Sequence, residues 1–213
     1  MECRVRLTAM PESAADVRLH LIGYEPFRTS VKFLGAVEDE IKVMRSGHQK
    51  IDVHRHPGIR TGGQLGVAIA EPCAACLISC HGGHDDNSDV WLCQDQEVKI
   101  FLDVRKVNRV GATSLVIVDA CSARQILPEL ARRTKRGAVL IGIDDKDTHG
   151  RDSVQLLADI LRELCYPAKL DLSPPAIMSA VDRVKARISA RNELVENDKD
   201  RSPRLLIENA CAD

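Results

Sequence analysis

Two reactive side chains stand in matching local settings. His81 follows the apolar run Ala75–Cys80 (ACLISC) and precedes Gly82 and Gly83. Cys121 follows the apolar run Leu115–Val118 (LVIV) and stands just before a helical pattern that starts near Arg124. A thiolate is a strong nucleophile, and a helix N-terminus favours its negative charge. A nearby imidazole can hold the proton or form an ion pair with the sulfur. Glycines let backbone approach a substrate closely, so the N–H groups of Gly82, Gly83 and Cys121 can receive an oxyanion. Read singly, a histidine after a strand is a loop residue and a cysteine is a small core residue. The matched placement of the two is what points to acyl transfer.

Those side chains can meet only if the strands that carry them lie together. Short aliphatic runs alternate with longer amphipathic ones along the chain. Strands are expected near 17–22, 50–53, 75–80, 115–118 and 138–143, with a hairpin or small strand pair at 90–93 and 98–102 and a last edge strand at 205–207. Helices are expected near 31–44, 61–70, 124–133, 153–164 and 174–191, the last opening on Pro174 and Pro175 after Ser173 as its cap. The glycines weaken the helix at 61–70. This alternation predicts an α/β fold: a mostly parallel central sheet flanked by helices on both faces. In such sheets reactive groups gather beyond the carboxyl ends of the strands. The clusters Ser79–Asp86, Asp119–Arg124 and Asp144–Asp147 are therefore expected on one edge, in a strand order that the sequence leaves open.

The segments LISCHGG (77–83) and LVIVDACSA (115–123) resemble the motifs of the caspase-like cysteine peptidases, a group that includes metacaspases and bacterial CHAT-type members. In that family one strand ends in a Ser-x-His-Gly type motif and a later one in Asp-x-Cys-x-Ser or a variant. Ser79, His81, Gly82, Asp119 and Cys121 match in position. AVLIGIDDK (138–146) and the helix SVQLLADILREL that follows resemble the next part of CHAT-type members, so the resemblance runs over about residues 15–165. It implies a caspase-hemoglobinase-like fold and a Cys121–His81 dyad. It also implies an acidic position two before the nucleophile that lines the S1 pocket, here Asp119, with Asp144 and Asp145 as further substrate-binding candidates. A carboxylate there favours cleavage after Arg or Lys. The alternative for Asp119 is a cap on the following helix. Small bacterial relatives often act on one protein target in signalling or defence (an antiviral role among these), and many are held inactive by a loop over the cleft. Gly82–Asp89 and Asp144–Arg151 are the segments placed to do this, and an activating partner fits the same pattern.

Other patterns carry less chemistry. Cys73 and Cys76 form a C-x-x-C followed by Cys80 and His81, which a metal or redox site would also need. A zinc site needs a second ligand pair, for which His84 and Cys93 are the candidates, but Cys80 and His81 sit at a strand end, where successive side chains point apart. HDDNSD (84–89) lacks the spacing of a calcium loop. Gly62-Gly63-x-x-Gly66 lacks the lysine of a phosphate loop. His54 and His56 flank Arg55 before Pro57 and read as a surface loop, or as a wall of the substrate cleft. No metal or cofactor is assigned.

Composition bounds the reading. The chain has 213 residues, 44% apolar and 29% charged, with a net charge of −1. A near-neutral chain offers no field for a nucleic-acid backbone. Arg132, Arg133, Lys135 and Arg136 read as a solvated helix end. No apolar run nears the ~20 residues that span a bilayer, and MECRVRLTAMPES lacks the apolar stretch of a signal peptide. A cytoplasmic setting follows as the expectation, with the eight cysteines as thiols. The expected whole is one peptidase domain over 1–213, with a core at 15–165 and a C-terminal helix and edge strand. It acts on a protein or peptide substrate as a cysteine endopeptidase. The competing reading is a catalytically silent scaffold that works through protein–protein contact.

Overall fold

The structure is a computed structural model, and it describes residues 17–23, 35, 39, 51–56, 59, 61–84, 90–92, 102–144, 159–164, 170–194 and 204–210. Nine strands and three helices are described in chain order. They are β1 (Val17–Gly23), β2 (Ile51–His56), α1 (Gly62–Ala70), β3 (Cys73–Ser79), β4 (Gly82–His84), β5 (Val90–Leu92), β6 (Leu102–Asp103), β7 (Ala112–Asp119), α2 (Ala123–Ala131), β8 (Val139–Asp144), α3 (Pro174–Leu194) and β9 (Arg204–Asn209). Residues 159–164 are also helical. Most of the helix expected at 31–44 lies outside the described residues, although Gly35 and Asp39 are helical. Among the described residues no helix is long and apolar enough to cross a membrane.

The expected α/β architecture is present. Six strands form a sheet in the order β2-β1-β3-β7-β8-β9. The first five run parallel, and β9 closes the edge antiparallel to β8. The middle strands are buried on both faces, which is why Leu115–Val118 and Leu140–Ile141 are unbroken apolar runs. Alternation along the strands splits the core in two. Ile22, Cys76, Ile78, Val116, Val118 and Leu140 pack with α1 and α2 on one face. Leu19, Leu21, Leu77, Ile117 and Ile141 pack with helical 160–164 and α3 on the other.

α1 forms in spite of its glycines because its start is tied down. Gln64 N–H donates to Thr61 Oγ1 at 3.1 Å, and the Gln64 side chain accepts from Thr61 N–H at 3.1 Å. This reciprocal pair satisfies two of the helix's orphan donors. At α3, Ile177 N–H reaches the Ser173 carbonyl at 2.9 Å, as expected for a helix that begins at Pro174. The structure differs from the sequence reading after β3. The glycine stretch after β3 is not a bare loop: Gly82–His84 is a strand, and it joins β5 and β6 in a separate antiparallel sheet ordered β4-β5-β6.

Candidate active site

β3 and β7 are neighbours in the sheet, and their last paired residues are Ser79 and Asp119. His81 and Cys121 each stand two residues past that pair, so both leave the same edge of the sheet side by side. The strand order changes direction between β1 and β3, beside this point. That is where open parallel sheets leave a crevice.

Three contacts bind the two segments together. Cys80 N–H donates to the Asp119 carbonyl at 3.1 Å, extending the ladder past the strand ends. Ser79 Oγ donates to Asp119 Oδ2 at 2.8 Å. Gly82 lies directly on Cys121: a Cβ there would overlap the Cys121 carbonyl oxygen and stand 2.7 Å from Ile126 Cδ1. The glycine after the histidine is thus the residue through which the two motifs touch. Gly83 is covered in turn by the ring of Trp91 from β5, which a Cβ would overlap. The small sheet therefore presses the His81 segment onto the start of α2.

Cys121 is exposed, His81 is half-buried and Ser79 is 1% exposed. Ser122, next to the thiol, has φ 60° and ψ 29°, a left-handed conformation that a serine adopts only when its surroundings hold it. It is the N-cap of α2, and its side chain makes no capping bond. Instead Ser122 Oγ and His84 Nδ1 are 3.1 Å apart. Asp119 is therefore not the helix cap that its position also allowed: it stands on the strand side of this turn and accepts a hydrogen bond from the Ser79 hydroxyl. Sequence reasoning missed His84 and Trp91, because both reach the rim through the β4–β5 pairing, for which the sequence carries no local sign.

Of the remaining candidates, Asp144 ends β8 on the same edge and Asp145 lies outside the described residues, as do Asp85 and Asp86. Cys73, Cys76 and Cys80 are buried in the α1 face of the core, and among the described residues none of them joins a group of side chains spaced to hold a metal ion. The thiols of Cys73 and Cys76 hydrogen-bond each other. This bond pulls Cys73 down against the effect of its burial, and together with burial it pushes Cys76 well up. Arg132 and Arg133, in the basic stretch, pair with Glu129 on α2. His54 and His56 are not in a surface loop: they lie on β2, and both rings line a cleft against α1.

No protein-family model matches the chain, and no curated protein matches it. Among solved structures, the crystal structure of gingipain R, an Arg-specific cysteine proteinase, is similar with a TM-score of 0.49 and 12% identity. The match covers 86% of this chain and 43% of that one, so this chain spans less than half the length of the protein it resembles.

Proposed function

We propose that the chain is a cysteine endopeptidase of the caspase-like kind, with Cys121 as nucleophile and His81 as its acid–base partner, in a single domain. The observation that carries this reading is the parallel pairing of β3 with β7, tightened by the contact between Gly82 and Cys121. In the reaction, the Cys121 sulfur adds to the scissile carbonyl and its proton passes to His81. The backbone N–H groups of Gly82 and Cys121 receive the oxyanion. His81 then protonates the departing amine, and water hydrolyses the thioester.

Asp119 is assigned to the P1 pocket, with Asp144 and Asp145 as possible additions to it. Its carboxylate, held by the Ser79 hydroxyl, favours a cationic P1 side chain, and arginine over lysine for its bidentate fork. The substrate is a protein or peptide, and the expected setting is cytoplasmic.

A P1-positional peptide library tests the assignment. Wild type is expected to cleave after Arg and Lys, and Cys121→Ala to lose activity on the order of 10⁴-fold or more while staying folded. Asp119→Asn is expected to lower kcat/KM for P1 Arg about 30-fold or more, since a desolvated charge pair is worth about 2–5 kcal/mol. Retained cleavage by Cys121→Ala, or a failure of Cys121 to react with a P1-arginine thiol-directed warhead, would leave the scaffold reading in its place.

A further inference from the structure

On the α1 face of the sheet, away from Cys121, three imidazoles and a carboxylate come together. β1 and β2 pair in parallel with His20 opposite His54 and Ile22 opposite His56. His56 Nε2 stands 3.1 Å from His20 Nδ1 and 3.9 Å from Glu71 Oε2, just past the end of α1. One ligand atom from each of His20, His56 and Glu71 lies within 4.8 Å of the others. His54 flanks the pair, its ring centroid 4.6 Å from that of His56 and 5.3 Å from that of His20.

The spacing of the two ring nitrogens is that of a shared centre. Two ligands at 2.0–2.1 Å from one zinc ion, at the tetrahedral angle, lie about 3.3 Å apart. The His20–His56 separation is close to this. The His56–Glu71 gap is too long for a hydrogen bond, and the three ligand atoms spread over as much as 4.8 Å, so the half-exposed Glu71 side chain has to swing toward both rings to reach the tetrahedral value. We infer that His20, His56 and Glu71 form a binding site for a divalent transition metal of the zinc class, with a water molecule as fourth ligand.

The surroundings suit that role. His20 is 2% exposed, and its ring hydrogen-bonds the backbone of Ala68, an outer contact that fixes the ring and its tautomer. Burial, before any charge effect, lowers both His20 and His56 from the ordinary histidine value. Two nitrogens and one carboxylate suit zinc-like ions, whereas calcium asks for six to eight oxygens. The fourth position opens on a cleft of about 480 Å³ lined by Arg55, Ile59, Thr61, Gln64 and Val67 among others. Three protein ligands beside an open cleft are the arrangement of zinc sites that keep an exchangeable water. The ion would tie β1, β2 and the exit of α1 together.

The test uses the full chain carrying Cys121→Ala, so that neither the exposed thiol nor the proposed peptidase chemistry enters the result. Zn²⁺ is titrated calorimetrically and thermal unfolding is followed with and without Zn²⁺. The expected result is one Zn²⁺ per chain and a rise in Tm with the ion. Binding is expected to weaken by at least about 10-fold in both His56→Ala and Glu71→Gln, the smaller end of what even an outer-shell loss produces. Glu71→Gln is nearly isosteric and half-exposed, so it carries the test if His56→Ala fails to fold. An absence of stoichiometric binding, or wild-type affinity in any folded variant of the two, overturns the site. Zinc that survived both substitutions would belong to Cys73 and Cys76.

Discussion

Gly82 meets two demands that no other residue can meet together. It must follow His81 directly, and it must let the chain lie against the carbonyl of Cys121 and against Ile126. Adding one methyl group at this point is an overpacking change against backbone, which cannot move aside as a side-chain tip can. Gly82→Ala is expected to cost about 3 kcal/mol, the upper end of such changes, measurable by urea unfolding. The same variant would push the His81 segment away from the start of α2. A loss of activity larger than the loss of folded protein is therefore expected, and equal losses would mean that the contact serves packing alone. Ser122 stands in the same short stretch in a left-handed conformation, so the turn that presents the thiol is also held under strain.

At the scale of elements, α1 shows how a poorly suited sequence is made helical. The segment GGQLGVAIA holds three glycines, each costing about 1 kcal/mol against alanine. The Thr61–Gln64 capping box and the burial of Leu65, Ala68 and Ile69 offset that cost. Thr61→Ala is expected to destabilise the protein by about 1 kcal/mol, read as a fall in the denaturation midpoint with an unchanged m-value. α1 also carries one wall of the His54–His56 cleft, so its fraying would open that cleft before it disturbed Cys121. The small sheet β4-β5-β6 acts on the other side of the site, with Trp91 on β5 covering Gly83 on β4.

At the scale of the molecule, the described residues on the two faces of the sheet differ in character. The α1 and α2 face meets both the Cys121 turn and the histidine cluster, while the α3 face is apolar packing. Ile177 on α3 is fully buried in that second core. Ile177→Ala is expected to cost about 2–5 kcal/mol and to lower Tm by roughly 2–4 °C per kcal/mol. Because α3 packs on the face opposite α2, kcat/KM per folded molecule is expected to stay at the wild-type value. A selective fall in activity would show that the α3 face helps to shape the site.

Period and composition were enough for the mostly parallel α/β sheet, for most element positions, and for placing His81 and Cys121 at strand ends, whereas Asp119 was singled out by the resemblance of its motif. These are local properties: a buried parallel strand is a continuous apolar run, and its end is marked by the first glycines and polar residues. Adjacency is not local. That β3 lies beside β7, that Gly82 rests on Cys121, and that His84 reaches Ser122 all depend on strand pairing between segments far apart in the chain. The histidine cluster is the clearest case. His20 stands between two leucines in a mostly apolar strand and His56 stood next to a proline, so neither pattern pointed to the other. Only the register of β1 against β2, and the return of α1 across them, brought the two rings and Glu71 together.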